Sequence, residues 1–79
     1  MFKFKKDKTW DKPFSEKIAK RVAMIPTPDL AMWADQALSE IGRGLPSHRN
    51  PDTLKALLEG AEALHALIYE LNKRNGNTL

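Results

Sequence analysis

The chain contains no cysteine. A disulfide scaffold, a Cys-ligated zinc site, an iron–sulfur cluster and thiol chemistry are therefore excluded. Histidine is scarce, with only His48 and His65 present. Glycine occurs four times, and no Walker-type or Rossmann-type phosphate loop is built from it. No apolar run approaches the roughly 18 residues of a membrane span. The basic N-terminus has no apolar stretch behind it of the kind that marks a secretory signal. A cytoplasmic location is the expectation. At 79 residues there is room for one small domain, which buries only about 60–65% of the surface its unfolded chain exposes. A hydrophobic content of 42% beside 29% charged residues suits a folded chain better than a disordered one.

Charge is present, but it is unevenly placed. Lys3, Lys5, Lys6, Lys8 and Lys12 stand against Asp7 and Asp11, which gives 5 − 2 = +3 in the first twelve residues. The remainder holds 13 − 5 = 8 basic and 10 − 2 = 8 acidic residues and is neutral. The segment 1–12 reads as a flexible basic and aromatic arm, carrying Phe2, Phe4 and Trp10 among the lysines, ahead of a domain over 13–79. Lysines and aromatics together suit an anionic membrane surface, stacking on nucleic-acid bases, or a solubilising tail. The absence of arginine from the arm weakens the nucleic-acid version, because bidentate phosphate contacts favour guanidinium.

Three helices are expected in the domain. The first, about 14–25, opens at Pro13 with Glu16 in its first turn and carries Phe14, Ile18, Val22 and Ile25 as a narrow apolar stripe. The second, about 28–41, has Thr27 as N-cap, Pro28 at N1 and Asp29 at N2, with Gly42 as its stop. Leu30, Trp33, Ala34, Ala37, Leu38 and Ile41 share an arc of about 140°, which places Trp33 in the core and Met32 on the other side. The third, about 51–73, is capped by Asn50, with Pro51 at N1 and Gly76 as terminator. Its Leu54, Leu57, Ala61, Leu64, Ile68 and Leu71 follow a heptad-like 3, 4, 3, 4, 3 spacing. Leu58 and Leu67 widen that face beyond a simple zipper.

Lengths give the architecture. At 1.5 Å per residue the third helix spans roughly 35 Å and the second roughly 20 Å. The fold class is all-α: an antiparallel hairpin of helices two and three, with helix one packed across it. The second helix is too short to cover the leucine stripe of the third alone. Each leucine left wet forgoes about 1.5–3 kcal/mol. A second copy of the chain is the nearest cover, the alternative being a first helix that covers the far half of the third, and Ala61 near mid-helix would let two backbones approach.

No catalytic constellation is legible. His65 lies beside the seam with Glu62 and Tyr69 in helical reach, and Tyr69 is a poor second ligand for a metal. Glu59, Glu62 and Glu70 read as a solvated face, with Glu70 and Arg74 as an i, i+4 pair. The loop from Gly42 to Asn50 sets Arg43, Ser47, His48 and Arg49 before a helix N-terminus, where an anion would be welcome. Against that, Arg43 suits the preceding helix C-terminus, and Asp52 already occupies the N-terminal field. No cofactor and no metal are expected.

The stretches Asp29-Leu-Ala-Met-Trp-Ala-Asp-Gln-Ala-Leu38, Ile41-Gly-Arg-Gly-Leu45 and Gly60-Ala-Glu-Ala-Leu-His-Ala-Leu67 together resemble small uncharacterised helical proteins of actinobacteria and their phages. The resemblance covers residues 29–71, contains no catalytic motif, and implies a phage or mobile-element accessory protein that acts by binding. The expectation is a non-enzymatic, coiled-coil-like interaction module. It is a homo-oligomer that also binds a protein partner, and its contacts are Leu57, Leu58, Leu64, Leu67, Ile68 and Leu71. The alternative is a small nucleic-acid-binding protein using Lys3, Lys5, Lys6 and Lys8 with Arg43 and Arg49.

Overall fold

The computed structural model describes residues 11–77. The arm lysines Lys3, Lys5, Lys6 and Lys8, and the aromatics Phe2, Phe4 and Trp10, lie outside the described residues. Helix α1 covers Glu16–Ala23, α2 covers Thr27–Gly44, a single 3₁₀ turn covers Leu45–Ser47, and α3 covers Pro51–Arg74. The class is all-α. Helix α2 runs antiparallel to α3. Its Thr27 end meets Arg74, Ile41 lies against Gly60, and Gly44 lies against Thr53 and Leu57. Helix α1 packs on the C-terminal half of α3, with its start at Glu62 and its end at Arg74.

Several boundaries differ from the sequence reading, each for a local reason. Helix α1 begins two residues late because Ser15, not Pro13, caps it: the hydroxyl accepts from the Ile18 N–H at 3.2 Å. Phe14 falls outside the helix and turns inward at 4% exposure. The helix also ends earlier, at Ala23. Helix α2 begins at Thr27 and has no side-chain cap. The Thr27 hydroxyl accepts from Arg74 instead, at 3.0 Å. Gly42 is not a stop, because α2 runs through it to Gly44. The close approach of α2 to α3 carries the helix on. A Cβ on Gly44 would sit 2.8 Å from a Leu57 methyl, and one on Gly60 would sit 3.3 Å from Ile41.

The third helix follows the reading. The Asn50 side chain accepts from the Asp52 N–H at 2.8 Å. At the far end Gly76 adopts φ +85°, while Gly76 N–H donates to the Lys73 carbonyl and Asn77 N–H to that of Asn72. That is the Schellman pairing that a left-handed residue after a helix permits.

The core is small: Phe14, Val22, Leu30, Ala66 and Leu67. It sits where α1 crosses the hairpin, and Ala66 supplies the small side chain under the crossing. Leu30 is fully buried. Trp33, expected inside, is 46% exposed. An eight-residue α1 does not reach far enough to close over it.

Candidate interaction surface

Two polar latches hold α1 onto the hairpin. The Ser15 N–H donates to the Glu62 carboxylate at 2.8 Å, so Glu62 belongs to an anchor and not to a solvated face. At the other end Arg74 gathers carbonyls from the end of α1 and from the link that follows it. Its guanidinium donates to Ile25 O at 2.7 Å, to Ala23 O at 3.0 Å and to Glu70 at 2.9 Å. A cation at this point satisfies carbonyls left without helical partners. The Glu70–Arg74 pair was legible as a pair, but its role as a clasp across 49 residues of sequence was not. Between the latches, Phe14 lies edge-on to Tyr69 and tilted against His65, each at 5.6 Å between ring centroids. Lys12 sits over the Tyr69 ring at 5.5 Å.

What the fold leaves open is apolar. Leu58 is 72% exposed, Leu38 57%, Ile68 50% and Leu54 44%. On α3 the exposed positions include one apolar-rich row, Leu54, Leu58, Ala61, His65 and Ile68, beside the charged Asp52, Lys55, Glu59 and Lys73. The row's spacing of 4, 3, 4 and 3 is a heptad seam. This seam is displaced from the one expected. Leu57 is half-buried against Gly44 of α2, Leu64 is half-buried, Leu71 packs at the edge of the core, and Leu67 is buried under α1 at 5% exposure. Among the six expected contact residues, Leu58 and Ile68 are the exposed ones. Leu67 instead holds the monomer together. Leu54 and Ala61 belong to the open seam and were not among the expected contacts. The heptad spacing already sets Leu54, Ala61 and Ile68 on one stripe; what it does not show is that α2 takes the Leu57 and Gly60 side of that stripe and leaves these three open.

A second open feature is an apolar groove of about 480 Å³ between α1 and the hairpin, bordered by Ile18, Ile25, Trp33, Ala63 and Leu67, with Arg21 at its edge. Arg43, His48 and Arg49 are all exposed in or near the loop before α3. Among the described residues no group of three His, Asp or Glu side chains is placed to hold a metal ion. No helix among them is long and apolar enough to cross a membrane. The chain matches no protein-family model, no curated protein and no solved structure, so its open surfaces carry the functional reading.

Proposed function

We propose that the chain is a non-enzymatic helical protein–protein interaction module that self-associates. The carrying observation is the exposed apolar seam along α3, joined by Leu38 and Leu45 of α2 at 57% and 52% exposure. Contiguous apolar surface on so small a domain marks a binding face. The polar side chains that meet across the fold, Glu62, Glu70 and Arg74, are engaged in holding α1. The resemblance of residues 29–71 to small helical proteins of actinobacteria and their phages supports an accessory role exerted on a host protein in the cytoplasm.

The second reading is nucleic-acid binding or attraction to an anionic membrane through the basic arm. It is favoured by the concentration of the +3 net charge in the first twelve residues. Salt separates the two. Counterion release makes nucleic-acid affinity fall by about 10³–10⁵ between roughly 50 and 200 mM salt for a protein with six to ten phosphate contacts, whereas apolar association tolerates salt. Sedimentation equilibrium across that range, beside fluorescence anisotropy with a short DNA duplex, is the test. A mass that rises with protein concentration and is insensitive to salt supports the module. Salt-sensitive DNA binding by a chain that stays monomeric overturns it.

A further inference from the structure

The open seam of α3 contains both halves of a helix–helix joint. Ala61, Leu64, His65 and Ile68 surround a depression of about 300 Å³. Their positions, i, i+3, i+4 and i+7, are the four corners of a coiled-coil hole, into which a side chain of a facing helix inserts as a knob. The most exposed leucine among the described residues, Leu58, projects from the same face three residues before Ala61. The centre of the hole lies between Leu64 and His65, three to four residues after Ala61. Leu54 and Ile68 lie seven residues to either side of Ala61. The seam is therefore nearly symmetric about that alanine.

From this symmetry we infer that the occupant of the seam is a second copy of the chain, with the two α3 helices antiparallel and Ala61 on the two-fold axis. The inference rests on the self-associating reading above. A two-fold interface requires that when residue i meets j, j also meets i. In this arrangement Leu58 of each protomer enters the hole of the other at the same time, and Leu54 meets Ile68 in both directions. Ala61 at the axis allows the close approach. Helix α2 contributes to the same face. Trp33 marks its α1 side, and Leu38 is five residues on, about 140° round the helix and away from α1. The hairpin pair thus closes into a four-helix arrangement with both α1 helices outside. From Leu54 to Ile68 the face is about 21 Å long, and it is two helices, or roughly 20 Å, wide. That is on the order of 400 Å² in projection, and side-chain relief brings it toward the roughly 800 Å² per partner of a stable interface.

The test is the oligomeric mass of three full-length chains: wild type, Leu58→Glu and Met32→Glu. Met32 is 55% exposed on the outer face of α2, about 160° round the helix from the fully buried Leu30, and serves as the surface control. Multi-angle light scattering from about 1 to 200 µM should give a wild-type mass approaching twice 8.9 kDa. Leu58→Glu should weaken the dimer by about 100-fold or more, because two carboxylates lose water against Ala61, Leu64 and Ile68, with the His65 imidazole as the one polar corner of each hole. Met32→Glu should leave it unchanged. Circular dichroism confirms folding, and Ile68→Lys replaces Leu58→Glu as the probe if the latter loses helicity. A dimer that survives Leu58→Glu or Ile68→Lys overturns the interface and leaves self-association standing. So does loss of the dimer in Met32→Glu. A wild-type chain that stays monomeric throughout overturns both.

Discussion

Removing the Arg74 guanidinium should release α1 while leaving the α2–α3 hairpin in place. The side chain is 21% exposed and that of Glu70 is 14% exposed. It makes contacts at 3.0 Å or less with Ile25 O, Ala23 O, the Thr27 hydroxyl and Glu70, and a longer one of 3.5 Å with Val22 O. Hydrogen bonds to charged groups contribute about 1.5–3 kcal/mol each. A simple sum overshoots, because contacts that share one guanidinium are not additive and carbonyls at an open helix end take up water once vacated. A net loss of about 2–4 kcal/mol for Arg74→Ala is expected on those grounds. Total stability for a domain of this size is about 4–12 kcal/mol, so the change is large. Urea denaturation at fixed protein concentration, followed by circular dichroism, measures it. Amide exchange locates it: Ile18 to Ala23 should exchange faster, and Leu57 to Leu64 should not. Arg74→Lys should recover less than half of the loss, since one ammonium cannot reach acceptors on two strands of the clasp. A loss below about 0.5 kcal/mol, or uniform acceleration of exchange in all three helices, would refute the clasp.

Asn50→Ala should cost about 0.5–2 kcal/mol in the same melts, and Asn50→Asp should be nearly neutral, because the side-chain oxygen that accepts from Asp52 N–H is retained. Gly42→Ala should stabilise by roughly 0.5–1 kcal/mol, since the position is helical and a Cβ there meets nothing within 4 Å. Gly44→Ala should gain less or turn destabilising, because its Cβ would displace the Leu57 side chain from 2.8 Å. Thermal melts of the two alanine variants that move by equal amounts would show that the α2–α3 approach at Gly44 is looser than described. Leu67→Ala should cost about 2–5 kcal/mol as a core deletion. A loss confined to dimer affinity, with the monomer's stability unchanged, would instead return Leu67 to the interface.

The helices and their antiparallel pairing were legible because they rest on local chemistry. Asn50-Pro51 and Gly76 mark the ends of α3, and the leucine period marks its buried side. Which leucines stay wet was not legible. The leucines of α3 span about half its circumference, and the placements of α2 against Leu57 and of α1 over Ala66 and Leu67 together decide which of them remain open. Glycine misled at position 42 for a related reason. A glycine reads as a stop from sequence, but contact with α3 at Gly44 and Gly60 keeps the helix going past it. The latches were hidden because their partners are distant in sequence. Glu62 and Arg74 look like ordinary surface charges until Ser15 N–H and the carbonyls of Val22, Ala23 and Ile25 are brought beside them.

The two-fold pairing of α3 is the central claim, and the absence of native cysteine makes it directly testable by disulfide formation. Two α3 axes 8–10 Å apart, each with Cα atoms about 2.3 Å off axis, bring the facing Ala61 Cα atoms to roughly 3.5–5.5 Å. That range overlaps the 4.4–6.8 Å a disulfide needs. In the antiparallel arrangement two Leu54 positions are separated by 14 residues of helix, about 21 Å. Ala61→Cys should therefore oxidise rapidly to a covalent dimer at micromolar concentration. Leu54→Cys alone should not, while a mixture of Leu54→Cys and Ile68→Cys should give the crossed dimer. If Leu54→Cys links to itself as readily as Ala61→Cys, the helices are parallel and the two-fold described here is wrong. If Ala61→Cys remains a free thiol under the same oxidation, α3 does not pair through this seam at all.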